Sequence, residues 1–210
     1  MRKRRFVRPR KGMNNTRSTY PVSSRAFVKL KYTEIITPAA SGVLATNTLY
    51  LGNGIYDPSV AIGGHQPLGR DQWFNFYDRC FVRASKITVK PVALTNQSLV
   101  VVLPQESNVG ATSVDIAAEK PSARSKMVSV AGTSTGFMKH YATTFAMLGK
   151  TRRNAEDDDL TCTASADPTN LWYWNIVAQS PDLSTNSTVS YQVDITYYCT
   201  FFKRLRLAQS

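Results

Sequence analysis

Residues 189–201 alternate without a break. Val189, Tyr191, Val193, Ile195, Tyr197, Cys199 and Phe201 make one set, and Ser190, Gln192, Asp194, Thr196, Tyr198 and Thr200 make the other. A side-chain period of two marks a strand with one buried face. At ~3.3 Å per residue the run predicts a strand of roughly 43 Å, which is long for an ordinary domain. It closes at Lys203-Arg204-Leu205-Arg206.

The remaining elements are read against that strand. Near Arg25, Val28, Leu30 and Tyr32 alternate with Lys29, Lys31 and Thr33, which predicts a half-buried first strand. Residues 46–51 form a second, closed by Gly52-Asn53-Gly54, and residues 52–68 are a Gly- and Pro-rich loop. Residues 69–80 are the one stretch expected to hold a short helix. Residues 81–92 alternate again, with Phe81, Ser85, Ile87 and Val89 assigned to one face and Lys86, Thr88 and Lys90 to the other. Residues 98–103 are apolar on both faces, and residues 127–130, 139–147 and 171–178 complete the set, the last dense in Trp172, Tyr173 and Trp174. About eight strands with uneven loops and no βαβ alternation predict an all-β, antiparallel two-sheet sandwich, of which the jelly roll is the eight-stranded version.

Charge divides the chain. Through Thr33 there are eleven Lys/Arg and no acid; from Glu34 onward there are fifteen Lys/Arg and fourteen Asp/Glu. Arg2, Lys3, Arg4, Arg5, Arg8, Arg10, Lys11 and Arg17 make residues 1–24 a basic arm, expected to be disordered because like charges repel and little apolar surface is available. Residues 25–210 are then one folded domain. Such an arm neutralises phosphates and releases counterions without reading sequence. Seven charges in its first eleven residues imply a salt slope of about −5 on single strands, at ~0.7 per contact. Lys3-Arg4-Arg5 and Arg8-Pro9-Arg10-Lys11 also match a nuclear import signal. Arg25, Lys29 and Lys31 extend the charge into the first strand, and Lys86 and Lys90 carry it on a later one. Tyr198 and Trp174 are candidates for stacking on unpaired bases.

Other chemistries find little support. The longest apolar run, residues 99–103, is far below the ~20 residues a bilayer helix needs. The charged start is followed by polar sequence rather than a signal-peptide core, and Arg2 stands where myristoylation requires Gly. Cys80, Cys162 and Cys199 form no CxxC pair, which argues against zinc or a disulfide framework and for reduced thiols in an intracellular setting. His65 lies between Gly64 and Gly69 with no nucleophile signalled, so it reads as part of a structural loop, and His140 carries no signal. Glu156-Asp157-Asp158-Asp159 lacks a calcium-loop pattern and reads as a solvated loop, with Arg152 and Arg153 as pairing partners. No catalytic residue, metal site or cofactor is expected.

Residues 53–72 read NGIYDPSVAIGGHQPLGRDQ. Tyr56, Asp57 and Pro58, followed by Gly64, His65, Gln66, Pro67, Gly69, Asp71 and Gln72, resemble a stretch in capsid proteins of circular single-stranded DNA viruses that encode a replication initiator, the circovirus-like group. RAFVKLKYTEI after the arm, FVRASKITVKPV after the helix and DITYYCTFFKRL near the end fit the same order, so the resemblance spans residues 1–207. Arg70 departs from it, since an aromatic is expected there. The resemblance implies a jelly-roll major capsid protein of which sixty copies form a T=1 icosahedral shell. The arm would lie inside against packaged circular single-stranded DNA, and the loop carrying Tyr56, Asp57, Pro58, His65, Gln66, Pro67, Asp71 and Gln72 would serve a structural or inter-subunit role. It also implies a virion protein that passes through the host nucleus, with nuclear import receptors as partners of the arm. Two alternatives stand beside it: a shell protein of a small single-stranded RNA virus, and a non-assembling single-strand-binding module.

Overall fold

A computed structural model describes residues 22–39, 42–61, 64–130 and 136–206. Arg2, Lys3, Arg4, Arg5, Arg8, Arg10, Lys11 and Arg17, and with them the expected disorder of the arm over residues 1–21, lie outside the described residues.

Strands β1 (Ala26–Ile36), β2 (Thr46–Leu51), β3 (Tyr77–Ala93), β4 (Ser98–Gln105), β5 (Arg124–Val128), β6 (Met138–Thr143), β7 (Thr161–Cys162), β8 (Tyr173–Gln179) and β9 (Val189–Arg204) form two antiparallel sheets. One has the order β1-β9-β3-β6, with the two-residue β7 also on β3; the other has the order β2-β8-β4-β5. Leaving β7 aside, each step along the chain crosses from one sheet to the other, except the β4–β5 hairpin. That wrapping is the eight-stranded jelly roll.

The alternation of β9 is realised in full. Val189, Tyr191, Val193, Ile195, Tyr197, Cys199 and Phe201 are all buried in the main core. β9 is the centre of its sheet, flanked by β1 from Ala26↔Phe201 to Ile36↔Tyr191 and by β3 from Tyr77↔Arg204 to Ala93↔Val189. Two tryptophans, Trp174 on β8 and Trp172 just before it, fill the space between the layers. Trp172 and Trp174 are fully buried and meet edge to face at 5.2 Å. Each indole N–H ends on a hydroxyl that itself donates to a backbone carbonyl. Trp174 donates to Ser85 (2.9 Å), which donates to Gly52 O (2.7 Å); Trp172 donates to Thr144 (3.2 Å), which donates to Val82 O (2.6 Å). Buried polar groups demand such partners. Gly52 is required here for space, because a Cβ would stand 2.3 Å from the Trp172 ring.

Four sequence expectations are corrected. The helix expected at residues 69–80 is only α1 (Arg70–Phe74), since Tyr77 already pairs with Arg204 in β3. Phe81 does not share a face with Ser85. The register shifts between Val82 and Ala84, so that Arg83 and Ala84 together occupy the space of one residue. The bulge reverses the parity of the strand, and Phe81 packs outside the main core with Leu160 and Phe202. The stretch 139–147 is a strand only to Thr143; α3 (Thr144–Met147) follows, with the Thr143 hydroxyl accepting from Ala146 N. An additional helix, α2 (Val114–Glu119), covers the outer face of β4 and β8. Val101, Leu103 and Val177 bury against Ala111, Val114 and Ala117, which accounts for the apolar character of β4 on both faces. The Ser113 cap, accepting from Ile116 N, was its sequence signal.

Candidate nucleic-acid interface

With α2 over the second sheet, the outer face of the β1-β9-β3-β6 sheet remains open except at its Phe81–Phe202 end, where Leu160, Phe145 and Leu148 cover it, and the register makes the open part cationic. One row across the four strands reads Lys31, Thr196, Lys86, Tyr141; the next reads Thr33, Asp194, Thr88, Lys139. Neighbouring strands lie ~4.8 Å apart, so Lys31 and Lys86 stand two strand spacings from each other. Lys29 lies 5.5 Å from the centre of the Tyr198 ring, and Lys90 reaches the same face. Arg25, at the entrance to β1, pairs with Glu156. The segment before it is tied to the body: Val22 O accepts from Arg204 (2.9 Å) and Ser23 O from Tyr77 (2.9 Å). Of the sequence candidates, Arg25, Lys29, Lys31, Lys86, Lys90 and Tyr198 therefore share one surface. Trp174 does not, being buried between the sheets. Arg83, Lys139 and Tyr141 were missed. The alternation of β6 could have supplied the last two, but the bulge that exposes Arg83 leaves no sequence mark.

Asp194 is the acid at the middle of this face. Lys31 and Lys90 approach it to 3.5 Å each, from the strands on either side, and Thr33 donates to it at 2.8 Å. Burial raises its pKa, but the Thr33 hydroxyl and the two ammonium groups outweigh that effect and hold the carboxyl below its ordinary value.

The loop that carries the capsid-like motif gathers around Arg70. This arginine is 1% exposed and donates to Thr163 O (2.8 Å), Ala164 O (2.7 Å) and Asp71 (2.6 Å). Its guanidinium lies 5.0 Å from the Tyr56 ring centre and 4.6 Å from that of Phe74. A planar cation thus occupies the position where an aromatic ring was expected. The Gln66 side chain lies against both Arg70 and Asp71. Pro58 and Pro67 are buried, and their carbonyls accept from Leu51 N (2.8 Å) and Arg70 N (3.2 Å). His65 stacks on Tyr32 at 4.5 Å. Asp167 accepts from the amides of Tyr56 (2.8 Å) and Asp57 (3.1 Å), while Gln72 and Asp57 are exposed. Partial burial, then the nearby Asp167 and Glu34 carboxylates, push the Asp57 carboxyl above its ordinary value.

The acidic run at 156–159 stays largely in solvent, and its ion-pair partners are not Arg152 and Arg153. Glu156 pairs with Arg25, Asp158 with Arg79 (3.4 Å) and Lys203 (3.9 Å), and Asp159 with Lys150 (3.6 Å). The three cysteines, distant in sequence, converge. Cys80 faces Cys162 across β3 and β7, Cys199 lies beside Cys80, and all are free and buried. Burial pushes the Cys80 and Cys162 thiols well up. Among the described residues no cluster of three or more metal-ligating side chains occurs.

No protein-family model and no characterised protein matches the sequence. Solved structures do match in shape. The BFDV capsid protein in its 60-mer form superposes with a TM-score of 0.52 at 11% identity, covering 90% of this chain and all (100%) of that one. The empty head of turnip yellow mosaic virus gives 0.48 at 12% identity over 100% and 93% of the two chains. The mud crab tombus-like virus gives 0.44 at 8% identity over 99% and 96%. The strand order, the long central β9 and the likeness to the BFDV shell subunit together identify the fold of this chain as the jelly roll of viral capsid proteins.

Proposed function

We propose that this chain is the major capsid protein of a small circovirus-like virus, that sixty copies close a T=1 shell, and that it packages circular single-stranded DNA through its basic N-terminal arm. The observation that carries the reading is the continuity of charge. The arm joins the body at Arg25, and the strand that follows delivers Lys29 and Lys31 onto the open sheet face beside Lys86 and Lys90. A single strand held by the arm would meet more cations where the arm ends. The jelly roll shared with a 60-mer capsid protein supports assembly. So do large apolar side chains left in water at loop tips, such as Leu68 (91% exposed) within the motif loop. A closed shell lets every subunit cover such edges and stops open-ended growth. The basic clusters of the arm fit transport to a host nucleus by import receptors. The body contributes structure rather than catalysis.

Electron microscopy of the purified full-length protein tests this, combined with its ultraviolet absorbance ratio and nuclease digestion. Closed shells of about sixty subunits with DNase-sensitive content after disruption are expected, and deletion of residues 2–11 should lower that content. RNase-sensitive content would move the assignment to an RNA virus shell. A monomer that binds single strands without assembling would overturn the capsid reading.

A further inference from the structure

The cationic face is not uniform. Where β1, β9, β3 and β6 run past the bulge it holds a half-open cleft of about 500 Å³, within the size range of sites for small organic ligands. The bulge makes it. Arg83 and Ala84 both face outward, so the small Ala84 forms the floor beside Tyr198, and Arg83 rises at the side with its guanidinium 5.2 Å from the Phe27 ring. Tyr141 forms the facing wall and meets Tyr198 edge to face at 6.0 Å. Arg152 stands at the rim. The one acid lining the cleft, Glu156, is engaged by Arg25. Arg83 and Arg152 have no ion-pair partner among the described residues.

We propose that this cleft seats one unpaired nucleotide of a single strand per subunit, its base against the 55% exposed Tyr141 ring and its phosphate on Arg83 and Arg152. The inference rests on the packaging function above and gives that face a defined contact. Aromatic rings stack on any base, and guanidinium groups bind phosphate through paired N–H donors. An acidic peptide would satisfy the two arginines but leave the tyrosine faces without a planar partner. Lys29, Lys31 and Lys86 then continue the backbone track on one side, along the rows of Tyr198 and Tyr141.

Full-length particles are irradiated with ultraviolet light with their own packaged nucleic acid, and the nucleotide adducts are mapped by mass spectrometry. Adducts on Tyr141 or Tyr198 are expected. Tyr141→Ala and Arg83→Gln should each lower cleft adducts roughly tenfold, Tyr141→Phe should retain them, and adducts within residues 1–24 should persist in all variants. Adducts confined to residues 1–24, or cleft adducts unchanged in Tyr141→Ala and Arg83→Gln, would overturn the site. Protein that purifies without nucleic acid fails the packaging function instead. The cleft is then tested on the same full-length chain with a ten-residue oligothymidylate: cleft adducts lost in Tyr141→Ala support it, and adducts absent or indifferent to that change overturn it.

Discussion

Arg70 and Phe74 stand one helical turn apart, and the guanidinium carbon lies 4.6 Å from the centre of the ring. Tyr56 covers the same group at 5.0 Å, and two carbonyls from residues 163 and 164 accept its N–H groups. The arginine thus joins the motif loop, α1 and the segment after β7. Removing it leaves the Thr163 and Ala164 carbonyls without this donor and a void between two rings. Arg70→Ala should cost about 3 kcal/mol, a fall of roughly 6–12 °C in thermal midpoint for a chain of this size. Arg70→Lys should recover little, because an ammonium is neither planar nor forked. Thermal unfolding of the three proteins decides it, and a lysine variant as stable as the wild type would contradict the stacking argument.

The two tryptophans between the sheets make a second test. Ser85 and Thr144 each accept from an indole and donate to a carbonyl, at Gly52 and Val82 respectively. Ser85→Ala or Thr144→Val leaves a buried donor and a buried acceptor unpaired. Each change should cost about 1–3 kcal/mol, read as a lower denaturant midpoint with an unchanged slope. Thr144 accepts at the longer distance and should show the smaller loss.

Asp57 supplies a pH test. Burial first, then Asp167 and Glu34, raise its pKa, so the folded chain binds this proton more tightly than the unfolded one. Stability from this group therefore increases as pH falls through the raised value toward the unfolded value of about 3.9, and the repulsion is fully present at neutral pH. Asp57→Asn should raise the thermal midpoint at neutral pH and flatten the rise seen on mild acidification. A midpoint unchanged or lowered at neutral pH would show that Asp57 contributes a favourable contact in place of repulsion.

The same residues mark how far the sequence was legible. The faces of β1 and β9 follow from a period of two, because the inner face of β9 is buried from Val189 to Phe201 and that of β1 is buried at Leu30 and Tyr32, and a one-residue slip would expose them. Thr46–Leu51 is a strand to the residue. What escaped depends on single local events or distant partners. The bulge at Arg83 inverts Phe81 and creates the cleft, yet it occupies one residue in a strand of unremarkable composition. Arg70 reads as a surface cation, and its burial is made tolerable by Asp71, two aromatic faces and carbonyls about ninety residues away that sequence spacing does not reveal. The acids at 156, 158 and 159 are solvated as their run suggests, but their partners Arg25, Arg79, Lys150 and Lys203 come from distant strands and loops that only the fold brings near.

Asp194 limits the charge that the open face can offer. It engages Lys31 and Lys90 from both neighbouring strands, so a bound phosphate must compete with a carboxylate that is already in place. Asp194→Asn removes that competitor and keeps a side chain of the same shape. Up to two phosphate contacts then become available, and the slope of log affinity for single strands against log salt should steepen by about 0.7 to 1.4. The variant should lose little stability at neutral pH, because both lysines are largely exposed and such pairs contribute roughly 0–1 kcal/mol. Since the wild-type carboxyl is held below its ordinary value, its contribution is present above the unfolded pKa of about 3.9 and fades only as pH falls through the depressed one. The stability difference between the two proteins should therefore vanish in strong acid, while the difference in salt slope is measured at neutral pH by titrating a labelled oligonucleotide. An unchanged slope would mean that the strand does not run across β1, β9 and β3, and would confine packaging to the arm.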